Sequence, residues 1–154
     1  MKFKSLFTIL FLIIFVCNVL PQSIYIYKHK DLNFGDVFIG YSKNILHFNY
    51  GAAKFSMHHN FLKKKDFLIT FVLPEYLLNG KNYLPIKFDR QNAAWSFRDR
   101  RRNRRRFNPN NPLIIRGVKQ NRSIFIWLGG KIYAKNNLLP GTYKGTIILT
   151  VEFL

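Results

Sequence analysis

Seven arginines fall within nine consecutive positions: Arg98, Arg100, Arg101, Arg102, Arg104, Arg105 and Arg106, interrupted only by Asp99 and Asn103. A guanidinium group stays charged at any ordinary pH, and its planar fork of N–H donors grips two oxygens of a phosphate, sulfate or carboxylate at once. Crowded like charges repel, so the run cannot be a buried strand and is expected as an exposed, extended loop. Its sharpest role is electrostatic binding of a polyanion, with an affinity that falls steeply with salt. Trp95, Phe97 and Phe107 flank the run, as stacking platforms do in proteins that bind single strands. The competing view is a solvated loop whose charge aids only solubility or general adhesion. No helix-turn-helix, zinc-finger or single-strand-binding signature accompanies the run.

Covalent chemistry has less to stand on. Cys17 is the only cysteine, so there is no internal disulfide, and the four histidines at 29, 47, 58 and 59 do not have the spacing of a structural zinc site. The seven acids, Asp31, Asp36, Asp66, Glu75, Asp89, Asp99 and Glu152, are scattered among basic neighbours and form no pair for acid–base work. His58 and His59 are adjacent, so on a strand their rings point to opposite faces and cannot hold one ion together; both are expected at the surface or at an edge. Gly129 and Gly130 lack the residues of a phosphate loop. The expectation is a protein that is not an enzyme, with no cofactor, metal or small-molecule substrate.

The elements that must position these groups are set by composition. The chain has 154 residues, 25 Lys+Arg against 7 Asp+Glu for a net charge of +18, 48% apolar residues and 16 Phe. That suffices for one core and one domain, and is far from a disordered composition despite the charge. At the start, Lys2 and Lys4 precede an apolar run from Leu6 to Cys17, and Pro21 follows. This is the layout of a secretory signal peptide, and the run falls short of the roughly 20 apolar residues that a spanning helix needs. Residues 1–23 are therefore expected to be a cleaved leader, the alternative being an uncleaved anchor. Loss of Lys2 and Lys4 would leave 23 minus 7, or +16, on residues 24–154. The product would be periplasmic, on the cell surface or extracellular.

Past the leader, short apolar stretches separated by Gly, Pro and Asn predict strands. They fall over 34–39, 45–50, 54–58, 67–73, 84–89, 113–116 and 123–128, with 131–134 continuing beyond a kink at Gly129 and Gly130. The clearest is the last. There Tyr143, Gly145, Ile147, Leu149, Val151 and Phe153 share one face and only Ile148 breaks the alternation. Residues 58–66 are expected as a loop, and 91–112 as the longest connection. Seven or eight strands at this spacing predict an all-β antiparallel sandwich.

The ordered landmarks have a resemblance. Phe34-Gly35-Asp36-Val37, Ala52-Ala53-Lys54-Phe55-Ser56, Phe67 through Pro74, Leu128-Gly129-Gly130-Lys131-Ile132 and Leu139-Pro140-Gly141-Thr142-Tyr143-Lys144-Gly145-Thr146 together resemble the DUF4402 family of bacterial secreted domains. That family is related in pattern to spore coat protein U and to chaperone-usher pilin-like subunits. The resemblance runs from about residue 32 to the end, and the Pro-Gly-Thr-Tyr-x-Gly-Thr block is its most specific part. It implies an exported immunoglobulin-like, pilin-like β-sandwich with no established enzymatic activity. It also implies partners: other pilin-like subunits, joined by lending an N-terminal strand to a neighbour's groove, and a periplasmic chaperone. Ile24, Tyr25, Ile26 and Tyr27 would supply such a strand, or would be the ordinary first strand of the same subunit. Phe153, next to the last residue, and Gly141, fourteenth from the end, match the terminal signature that such chaperones read. The chain departs from the family in its abundance of Phe, Lys, Arg and Asn, and nothing in the family calls for the arginine run. For an exported bacterial protein the polyanions on offer are lipopolysaccharide phosphates, acidic glycan and extracellular DNA.

Overall fold

Residues 23–154 are described by a computed structural model, in which twelve strands and no helix occur. The leader expected over residues 1–23 lies, Ser23 apart, outside the described residues. In chain order the strands are β1 (Ile24–Lys30), β2 (Ser42–Ile45), β3 (Ala53–His59), β4 (Lys65–Val72), β5 (Tyr76–Asn79) and β6 (Asn82–Lys87). Then come β7 (Ala93–Ser96), β8 (Arg105–Arg106), β9 (Leu113–Val118), β10 (Ile124–Leu128), β11 (Gly130–Tyr133) and β12 (Ile148–Phe153). They form three antiparallel sheets: β1-β3-β10-β7-β8, β2-β11-β6-β5 and β12-β4-β9. A bridge between Leu78 and Lys144 joins the chain leading into β12 to the β5 edge of the second sheet.

Period-two alternation explains which side of each strand is dry. On β3, Phe55, Met57 and His59 point inward; on β4, Phe67 and Ile69 do, and on β10, Ile124, Ile126 and Leu128. The first and third sheets meet through these residues, Phe55 lying 6.5 Å from Phe71 and His59 lying 5.2 Å from Phe67, ring centre to ring centre. This layering is that of a β-sandwich. Each fully buried Ile, Leu or Phe contributes about 1.5–3 kcal/mol, which is what holds a fold whose described residues contain no cysteine.

One strand passes between layers. Gly129 ends β10 in the first sheet, and β11 continues in the second. A side chain at Gly129 would place its Cβ 1.8 Å from the carbonyl oxygen of Ile45, so the crossing needs glycine for close approach. Asn92, fully buried, locks the same crossing: its carbonyl accepts from the Gly129 N–H at 2.8 Å, and its side-chain amide donates to the Ile45 carbonyl at 2.8 Å and to the Asn44 side chain at 2.8 Å.

The structure corrects several expected elements. Residues 34–39 are not a strand: Gly35 and Gly40 take positive φ, Phe38 is exposed, and the Gly40 N–H donates to the Ala134 carbonyl. Over 45–50 the strand has already ended at Ile45, because the Asn49 side chain accepts from the Leu46 N–H and closes a turn. Residues 91–112 are not one long connection, since β7 and β8 lie within them. Residues 143–147 make only the Lys144 bridge before β12 begins, although Tyr143, Ile147, Leu149 and Val151 are half-buried while Lys144, Thr146, Ile148 and Thr150 are exposed, as the alternation requires.

Candidate functional site

The arginine run does not stand free of the fold. After β7 the chain leaves the sheet, turns at Asn103, whose φ of 64° an Asn tolerates better than most side chains, and returns as β8. That turn lays residues 97–104 over the outward face of the first sheet. Arg104 is set down on Trp127 of β10, its guanidinium carbon 3.6 Å from the ring centre. It also donates to the His47 carbonyl at 2.8 Å and to the Arg100 carbonyl at 3.0 Å. Asp99 reaches Lys54 of β3 at 2.6 Å. The loop is thus clamped at both ends, and Trp127, on the side of β10 that faces away from the core, is 5% exposed because Arg104 covers it.

The other arginines are distributed around this clamp. Arg101 lies 4.9 Å from the Phe48 ring centre, Arg105 5.3 Å from that of Trp95, and Arg122, from the loop before β10, 3.8 Å from that of Phe97. Arg98, Arg100, Arg101, Arg102, Arg105 and Arg106 are all exposed, and Arg104 alone is half-buried. In register, Lys54, Trp127, Ala94 and Arg106 form one outward row across the sheet. Burial pushes Arg104 below the ordinary arginine value, a push the Asp99 carboxylate opposes and Arg101 reinforces. His47 beneath the loop is lowered as well, first by burial and then by the positive charges of Arg104, Arg106 and Arg101.

A second feature lies at the strand edges. Tyr25 and Tyr27 stack on His58 at 5.0 and 5.8 Å, and β1 pairs antiparallel with β3 of its own chain along its whole length, with an irregularity between Lys28 and Lys30. Register puts Ile24 and Ile26 on the core-facing side, opposite His59 and Met57, yet Ile26 is 45% exposed. On β12, Leu149, Val151 and Phe153 pair with the inward Phe71, Ile69 and Phe67, yet the first two are half-buried and Phe153 is 55% exposed. Both strands are sheet edges, and no pairing joins them. The turn after β3 lies near both, Asn60 accepting from the Ser23 N–H at 2.7 Å just before β1 and Phe61 packing 5.4 Å from Phe153. Each of these edges thus leaves inward-facing apolar residues partly exposed, Ile26 on β1 and Phe153 on β12. Gly141 sits apart from them, packed against Asn79 with φ of 148°.

His59 corrects an expectation. It is not at the surface or an edge but fully buried, accepting from the Phe61 N–H at Nδ1 and bonded through Nε2 to the Val118 carbonyl at 3.0 Å; His58, on the opposite face, stacks with the tyrosines. Those partners make it a structural core histidine. Among the described residues, no three His, Cys, Asp or Glu side chains come together, and several acids serve structure, Asp66 accepting from the Gly117 N–H and Asp89 from the Gln91 N–H. Also among the described residues, no helix is long and apolar enough to cross a membrane.

Sequence reasoning missed the pinning of the arginines. The signal lay in Phe125 and Trp127, two aromatic residues on the alternate positions of β10 that a two-layer fold turns away from its core. Set against known proteins, the chain matches no family model and no curated sequence.

Proposed function

We propose that the protein is an exported, non-enzymatic subunit of immunoglobulin-like, pilin-like build, of the kind its sequence blocks resemble, which assembles at a bacterial surface through its strand edges. The observation that carries this reading is the set of inward-facing apolar residues on β1 and β12, left partly exposed at two sheet edges that pair with no further strand among the described residues. An extended segment from another chain would satisfy the free N–H and C=O groups of such an edge and cover the apolar residues beneath. Two other edges carry charge that discourages pairing: β8 is two arginines, and exposed Arg116 lies on β9. On β12 and β1 the charge is confined to one end, Glu152 on β12 and Lys28 and Lys30 on β1, leaving residues 148–151 and 24–27 without any.

In this reading Ile24, Tyr25, Ile26 and Tyr27 act by exposing an edge in cis, and exchange of the same segment between copies is the variant in trans. Phe153 is one of these exposed residues, which a periplasmic chaperone would cover, and Gly141 belongs to the bend that leads toward β12. The test is the exported chain run on gels after mild detergent treatment. It should give a ladder of oligomers that collapses on heating, and Ile26→Lys or Phe153→Ser should abolish the ladder without altering the circular dichroism of the monomer. Unchanged ladders in both variants, or a strictly monomeric parent, would remove the reading.

A further inference from the structure

The arginine loop and the sheet beneath it form a second surface that strand assembly does not use. Ring-stacked guanidinium groups have a particular geometry. When the plane of an arginine lies over an aromatic face, its N–H donors point sideways, into solvent, and the group is held still before any ligand arrives. Arg122 lies over Phe97 at 3.8 Å, the exposed Arg101 and Arg105 lie within 4.9 and 5.3 Å of the Phe48 and Trp95 ring centres, and Arg104 on Trp127 fixes the loop that carries Arg101 and leads into β8. Holding a fork in place beforehand removes part of the ordering cost of binding. Nearby acid is scarce: Asp99 is the only one in the run and is paired with Lys54.

The same stacking argues against nucleic acid. Base recognition on a sheet needs open ring faces. Here Phe48, Phe97 and Trp127 are each covered by an arginine and Phe125 stacks on Trp127 at 6.1 Å, while the exposed Tyr25 and Tyr27 stack on His58 at the opposite edge of the sheet, away from the arginines. What remains on offer is a set of forks for oxyanions gathered around the β7–β8 edge of the five-stranded sheet. That is the form of a surface for an extended chain with repeated charges.

We propose that the β7–β8 edge of the first sheet, with loop 97–104 folded beside it, binds a linear acidic polysaccharide through the carboxylates or sulfates it carries, Arg101, Arg105 and Arg122 being the specific forks and Arg98, Arg100 and Arg102 the surrounding charge. This goes beyond assembly through edges and is testable in a monomer.

The probes are a sulfated heparin dodecasaccharide, a twelve-nucleotide oligothymidylate and vesicles containing anionic lipid, each titrated against the full chain at 0.15 M salt. The saccharide should bind at least about tenfold more tightly than the oligonucleotide, and vesicles should retain little protein. The triple variant Arg101→Lys, Arg105→Lys, Arg122→Lys keeps every charge but loses the planar fork, and should bind the saccharide about tenfold more weakly. Lys63→Ser with Lys64→Ser, which removes two charges from the loop before β4, should stay within about twofold of the parent. Equal binding by the triple-lysine variant would reduce the surface to bulk charge and overturn the proposal. So would equal or tighter binding of oligothymidylate or vesicles, or no binding of the saccharide at all.

Discussion

Arg104 closes over Trp127 at 3.6 Å, and through that contact a loop dense in positive charge becomes part of the folded body rather than a tassel on it. The contact is partly desolvated, and two carbonyls, of His47 and Arg100, accept from the same side chain. Arg104→Ala should therefore lower unfolding free energy by about 2 kcal/mol, whereas Arg102→Ala, fully outside the clamp, should change it by less than about 0.5 kcal/mol. Urea titration followed by tryptophan fluorescence measures both, and equal effects would refute the clamp.

Gly129→Ala is expected to be among the most damaging single substitutions in the chain. The added Cβ would meet the Ile45 carbonyl oxygen 1.8 Å away, and backbone must move to make room. A loss on the order of 3–4 kcal/mol follows, seen as insoluble protein or a much reduced denaturation midpoint.

Asn92→Ala should cost about 3 kcal/mol, because it removes the bonds to Asn44 and to the Ile45 carbonyl and strands the Asp89 N–H that the Asn92 side chain accepts from. Thermal melting of the purified variant gives the answer, and a melting temperature near that of the parent would show that the crossing does not depend on this amide.

Acidification should destabilise the protein through His47. Its folded-state pKa lies below the ordinary 6.5, from burial first and then from Arg104, Arg106 and Arg101. Below about pH 6.5 the unfolded chain takes up a proton that the folded chain refuses, so this stabilising contribution is present above that pH and is lost as pH falls toward the folded value. Denaturant midpoints at intervals from pH 8 to pH 5 should decline for the parent and decline less for His47→Gln. Parallel curves would show that His47 does not titrate differently on folding.

Much of the frame was legible because it depends on local chemistry. The kink at Gly129 and Gly130, the bend at Pro140 and Gly141 and the strand over 148–153 are dictated by side-chain period or by backbone freedom, although the alternation from Tyr143 to Ile147 is not accompanied by sheet pairing beyond the Lys144 bridge. The segment 34–39 misled because Phe34, Val37, Phe38 and Ile39 look strand-like while Gly35 and Gly40 take up backbone shapes that end pairing. β7 escaped notice because Ala93, Ala94, Trp95 and Ser96 are all buried, two of them beneath the arginine loop side of the sheet, so no alternation marks the strand. The clamp itself depends on residues 23 positions apart, Arg104 and Trp127, brought together only by the order β10-β7-β8. Periodicity carries no record of such an order.

The passage of one extended run from β10 through Gly129 into β11 ties the fate of the two layers together. Neither can peel away while the other stays intact, since the same backbone is a central rung of both. Melting should accordingly be a single concerted event, with the amides beside Gly129 the last to trade their hydrogens for deuterium.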